Sequence, residues 1–124
     1  MSGPWWAVAL GAVCGAPCRY LLDAAVSSRF GRRLPWGTLS VNLLGSAAAG
    51  VLAGVVVRRQ LDDTLVALLG AGFLAAFTTA STFAFEVVAL AESGHRRGAA
   101  LVVLLSVGIG IALAYAGFRL GLVL

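Results

Sequence analysis

An all-helical integral membrane fold with four transmembrane helices is predicted by three observations on this sequence. Of its 124 residues, 60% are hydrophobic and only 11% charged, too few charges to cover a core of this size with polar surface in water. Those charges are clustered, at Arg29/Arg32/Arg33, at Arg58/Arg59 with Asp62/Asp63, and at Glu92/His95/Arg96/Arg97. Between the clusters lie four apolar stretches, and crossing a hydrocarbon layer as a helix takes about 20 residues. Helices are expected rather than strands, because backbone polar groups in lipid must be satisfied within the spanning segment.

The first span is placed at about 4–26. No basic segment precedes Trp5 and Trp6 and no convincing small-residue cleavage site follows, so it is read as a helix and not as a signal peptide. Trp5, Trp6 and Trp36 fall at expected helix ends, where indoles seek the interface. The second span is placed at about 37–57, the third at about 64–92 and the fourth at about 98–122, all in a single transmembrane domain over residues 1–124. Short connections leave no room for a second domain. A four-span bundle has little interior of its own, so a polar pathway is expected between subunits. The small-residue pairs Gly11/Gly15, Gly50/Gly54 and Gly117/Gly121 are expected to allow close helix approach.

The net charge is +4, carried by arginine. Juxtamembrane arginines in short loops set topology, which is a better reading than nucleic-acid binding. Arg58, Arg59 and Arg119 share one side; Arg29, Arg32, Arg33, Arg96 and Arg97 share the other. That bias is modest and leaves both insertion orientations available. Cys14 and Cys18 are one helical turn apart, too close on one helix for a comfortable disulfide and too few for a metal site, and are read as packing residues.

The third span is anomalous. As one helix it would measure ~42 Å, more than a perpendicular crossing requires. Its centre reads Phe77-Thr78-Thr79-Ala80-Ser81-Thr82-Phe83. Hydroxyl and β-branched residues packed this densely are a poor choice for an uninterrupted helix facing lipid. A break is expected there, since irregular backbone at membrane depth is tolerated where it coordinates ions or lines a cavity. Asn42, mid-membrane in the second span, must be paired, either as glue between helices or as a pathway donor. Arg19 precedes Asp23 by four residues, a spacing that allows an intrahelical ion pair. It is read as a structural or vestibule residue. Glu86 is an intramembrane carboxylate, either a proton relay or a pairing group.

Three segments together resemble the signatures of the CrcB/Fluc fluoride channel family. They are Gly-x-x-x-Gly-Ala-x-x-Arg-Tyr at Gly11 to Tyr20, Gly-Thr-Leu-x-Val-Asn-x-x-Gly at Gly37 to Gly45, and Thr-Thr-x-Ser-Thr-Phe at Thr78 to Phe83, followed by Glu86. The resemblance covers essentially the whole chain. It implies a channel, not an enzyme, that exports cytoplasmic fluoride from the cell as a multi-pass protein of the inner (plasma) membrane. The implied assembly is an antiparallel, dual-topology dimer with two pathways along the subunit interface. A structural sodium ion is implied at the centre, held by the main-chain carbonyls of Ala75 and Thr78. Asn42, Ser81, Thr82, Phe83 and Ser106 are the implied pore residues. Such a set is chemically coherent: a small, strongly hydrated anion needs N–H and O–H donors to replace its water, and an aromatic edge presents positive charge to it.

The chain departs from the family pattern at three places. The family carries two phenylalanines three residues apart in the third motif, whereas here the first position is Ala80 and only Phe83 remains. Ala75-Ala76 stands where the family tends to have Gly-Gly. The row of polar residues on the fourth helix is reduced to Ser106, between Val102 and Gly110. Two assemblies follow, a homodimer with altered pores or a heterodimer with a related subunit that supplies the missing ring. Of other classes, a small multidrug-resistance-type proton-coupled cation exporter needs a carboxylate deep in its first helix, and Asp23 lies late and beside Arg19. A non-transporting scaffold leaves the Thr78–Thr82 cluster without a purpose.

Overall fold

The computed structural model describes residues 4–124. Four helical segments are long and apolar enough to cross a membrane: Trp5–Phe30, Trp36–Arg59, Asp63–Glu92 and Arg96–Val123. The first two are continuous α-helices, α1 (Trp5–Phe30) and α2 (Trp36–Arg59). The third is composite. It starts as α3 (Asp63–Val66), widens into a π-helical stretch at Ala67–Leu74, returns to α4 (Ala75–Phe77), and resumes after residues 78–80 as α5 (Ser81–Glu92). The last is α6 (Arg96–Val123). The connections are residues 31–35, 60–62 and 93–95, shorter than the charge clusters suggest, because the arginines are carried on helix ends. α1 runs through Ser27, Ser28 and Arg29 and stops only at Gly31, whose φ of 81° is open to glycine without strain. Asp62 caps α3, its Oδ2 accepting from the Thr64 N–H at 3.0 Å.

Two close crossings organise the bundle. In the first, α1 lies against the π-helical stretch: a Cβ on Gly11 or Gly15 would collide with the backbone of Leu68 or Phe73, and one on Gly72 would sit 2.7 Å from the Val8 carbonyl oxygen. In the second, Gly50 and Gly54 of α2 meet Ala114, Phe118 and Gly121 of α6, while Gly117 and Gly121 meet Ala47 and Val51. All three small-xxx-small pairs are therefore used inside the chain. Without a hydrophobic driving force between helices in lipid, such backbone proximity supplies the dispersion contacts that hold them together. Among the described residues the buried apolar side chains are few, Ala7, Leu39, Val41, Ala67, Phe77, Leu90, Ala99 and Val102, with Ser27 and Thr38 the buried polar ones. Only 17–22% of the most apolar window of each span is buried within the chain, so most of the bundle's surface faces lipid or another chain.

Cys14 and Cys18 are free and exposed; they do not pack within the chain, contrary to the sequence reading. The Asp23 carboxylate also departs from expectation. Its ion pair is with Arg32 at 3.8 Å, and Ser27 Oγ donates to it at 3.3 Å. An Arg placed N-terminal to an acid is the weaker orientation for an intrahelical pair. The chain reversal at Gly31 returns Arg32 to the same carboxylate, which is held in contact with Gly37 at the start of α2.

Candidate functional site

Residues 78–80, between α4 and α5, are held by contacts with their neighbours. Phe77 is buried and stacks on Phe73, ring centroids 5.8 Å apart and 13° from parallel, anchoring the end of α4. At Thr78 the backbone turns extended, φ −89° and ψ 159°. Thr78 Oγ1 donates back to the Leu74 carbonyl at 3.0 Å, and its Cγ2 fills the space that Gly45 of α2 leaves open. One turn earlier on α2, the Asn42 carboxamide holds both backbone polar groups of the next residue, Thr79. Its Nδ2 donates to the Thr79 carbonyl at 2.8 Å, and its Oδ1 accepts from the Thr79 N–H at 2.9 Å. Thr79 Oγ1 then accepts from the Thr82 N–H at 3.2 Å and caps the first turn of α5.

These bonds divert two donors. In an unbroken α-helix the Thr79 N–H would go to the Ala75 carbonyl and the Thr82 N–H to the Thr78 carbonyl. Here the first goes to Asn42 and the second to the Thr79 hydroxyl. The oxygens of Ala75 and Thr78 are thereby released from the helical ladder at the C-terminal, negative end of one helical segment. Both residues line an open groove of about 520 Å³ together with Asn42, Ser46, Ala80, Phe83 and Ser106. Hydroxyls, one amide and one aromatic ring on apolar walls make a surface that can strip water from a small ion and replace it with fixed dipoles.

Most of the expected site residues line this groove or a second cavity, and Ser81 lines neither. Asn42, Ala75, Thr78, Phe83 and Ser106 line the groove together. Thr82 is exposed and lines a smaller cavity of about 160 Å³ with Arg19, Tyr20, Asp23, Thr38 and Thr79. Ser81 is exposed on the first turn of α5. Arg19 is half-buried in the smaller cavity and makes no hydrogen bond or ion pair among the described residues. Thr79, held by Asn42, lines both spaces. Phe83 also packs toward Leu90, Ala99 and Val102, whereas Phe85, two residues on, is 76% exposed on a different face.

Several groups were not singled out by the sequence. Thr79 is both the residue whose backbone Asn42 holds and the acceptor for the Thr82 N–H at the start of α5. Thr38, buried, donates from Oγ1 to Glu86 Oε1 at 2.7 Å, which gives the intramembrane carboxylate a partner on α2. Ser46 lies one turn beyond Asn42, and that spacing was the available signal, since i and i+4 share a helix face. Among the described residues no group of three or more His, Cys, Asp or Glu is placed to hold a metal ion.

Comparison with known proteins gives a consistent picture. The family model described as CrcB-like protein, Camphor Resistance (CrcB), matches residues 6–118. A relative from Magnetococcus marinus, called fluoride-specific ion channel FluC, is 45% identical over 115 residues, covering 92% of this chain and 94% of its own length. A protein of the same name from Roseiflexus sp. is 44% identical over 112 residues, 90% of each chain. One called fluoride-specific ion channel FluC 1, from Streptomyces avermitilis, is 39% identical over 113 residues, 91% of each.

Proposed function

The chain belongs to the CrcB-like family, and on that premise we propose that this multi-pass membrane protein is a subunit of a fluoride-selective channel that lets cytoplasmic fluoride leave the cell through the plasma membrane. The observation that carries the reading is the release of the Ala75 and Thr78 carbonyls by the Asn42 clamp and the Thr79 cap. Two chains in inverted orientation would face their interrupted third spans toward each other across the groove. Four carbonyl oxygens would then surround one point, an oxygen set suited to a hard monovalent cation such as sodium. A fixed cation at bilayer depth offsets the cost of bringing an anion there.

On this reading fluoride passes along the groove. Each amide nitrogen has two N–H groups, and Asn42 spends one on Thr79, leaving the other for the ion. Phe83 offers a ring edge, and Ser106 a hydroxyl. Ser81 and Thr82, at the N-terminal and positive end of α5, continue the path toward the Arg19 cavity, where an unpaired guanidinium raises the local anion concentration. The exposed apolar surface left on each span supports a second chain as the complement. Ala80 presents only a methyl group at the groove edge, so a partner subunit with phenylalanine at that position would complete a ring pair that the homodimer lacks.

The test is anion flux from liposomes containing the purified chain, alone and with a related subunit from the same genome. Fluoride efflux far faster than chloride efflux is expected in at least one combination, with thermal stability in detergent lower when sodium is replaced by a large organic cation. Fluoride efflux no faster than from protein-free liposomes in every combination would overturn the proposal.

A further inference from the structure

At one end of the bundle, the loop 31–35 and the turn 93–95 flank a groove of about 640 Å³ that takes no part in the proposed pore. Its lining includes Arg33, Leu34, Leu90, His95, Arg96 and Arg97. No carboxylate lines it, and the nearest in sequence, Glu92, is exposed. Arg32 next door is engaged with Asp23, but Arg33, Arg96 and Arg97 have no hydrogen bond or ion pair among the described residues. Three unpaired guanidinium groups around one space repel each other. Arg96 and Arg97 also open α6, where no acidic residue balances the positive helix end. All three are exposed, so solvent screens part of that repulsion, and an anion among them would relieve the rest.

The walls of the groove are apolar. Leu90 is buried in a cluster with Ala99 and Val102, against which Leu34 packs. Arg97, Leu101 and Leu104 follow one another at helical spacing along α6, and the last two are 47% and 70% exposed. Guanidinium groups at the membrane surface therefore sit at the head of an uncovered apolar stripe that runs into the bilayer.

We propose that this groove binds the phosphate of an anionic phospholipid, with Arg33, Arg96 and Arg97 around the headgroup and an acyl chain along Leu101 and Leu104. A free inorganic phosphate would use the same guanidinium groups but not the stripe, and the stripe decides for the lipid. The site does not depend on the ion that the channel carries. Setting topology alone would need the arginines in a loop, but not gathered around a groove.

The experiment is native mass spectrometry of the purified protein in detergent, offered equal amounts of phosphatidylglycerol and phosphatidylcholine. Phosphatidylglycerol should be retained at least about tenfold better. Each juxtamembrane arginine contributes about fivefold to anionic-lipid binding, so R33Q/R97Q should weaken retention by roughly twentyfold, while R58Q at the opposite end leaves it unchanged. Inorganic phosphate at millimolar concentration should not displace the lipid. Equal retention of the two lipids, full retention by R33Q/R97Q, or displacement by inorganic phosphate would each overturn the proposal. If R33Q/R97Q is not monodisperse, the wild-type preference is measured from about 0.05 to about 0.5 M salt. A preference that declines with salt supports the site, and one indifferent to salt overturns it.

Discussion

Removing the Asn42 carboxamide should disable the interrupted span without dismantling the bundle. Asn42→Ala deletes two hydrogen bonds to the backbone of one residue, Thr79, at 2.8 and 2.9 Å. Interhelical side-chain bonds in membranes average about 0.6 kcal/mol, which for two such bonds gives a lower figure of about 1 kcal/mol. The larger effect is the unpartnered Thr79 N–H and C=O left behind. A buried N–H or C=O without a partner costs about 1–3 kcal/mol, and Thr79 is half-buried. Part of that cost is recovered if the Thr79 N–H turns back to the Ala75 carbonyl, but that closure removes one of the two released oxygens. Either way the open arrangement loses about 2–3 kcal/mol relative to its alternatives. At about 1.4 kcal/mol per tenfold, its weight against those alternatives, and with it fluoride flux, should drop roughly 30- to 140-fold. A fluoride electrode on proteoliposomes reads the flux, and size-exclusion chromatography establishes that the variant remains folded. Wild-type flux from a monodisperse Asn42→Ala protein would refute the argument that the clamp holds the pathway open.

Three further outcomes are expected. Ala80→Phe should raise fluoride flux of the chain alone by about an order of magnitude, the worth of one aromatic contact of ~1.4 kcal/mol; no gain in the same liposome assay would count against an incomplete ring pair. Thr38→Val removes the 2.7 Å bond to Glu86 and should lower stability by about 1.5–3 kcal/mol, the range for bonds to charged groups, seen as an earlier thermal transition, with little added loss in the double variant with Glu86→Gln. Gly15→Leu forces a side chain into the Phe73 backbone and should cost about 3 kcal/mol or more, read as loss of the monodisperse peak, whereas Gly108→Leu, with nothing within 4 Å of the added carbon, should be tolerated.

The four spans were legible because hydropathy is local: each stretch carries its own solubility in lipid, whatever it packs against. Their ends were less legible. Arg29, Arg58 and Arg59 look like loop residues by charge, yet helices run through them, since a long side chain can reach water from a helix end. The family was legible for a similar reason, because its motifs are contiguous. Partners were not. The spacing of Arg19 and Asp23 suggests a pair, but Asp23 is claimed by Arg32 after the chain reverses at Gly31. Glycine spacing pointed to close approach without saying to what, and the partners proved to lie within the same chain.

By itself, then, the sequence determined how many times the chain can cross a membrane, which segments carry polar groups to mid-depth, and which family those segments belong to. Which carbonyls are released there was decided only by the tertiary structure. Asn42 and Thr79 are 37 positions apart, and nothing in the composition of either segment pairs them. They meet because the packing of α2 beside the third span brings the Asn42–Gly45 face level with Thr78 and Thr79. A helix in lipid gives up a backbone bond only where a neighbour offers a better one, and where that neighbour stands is a property of the fold.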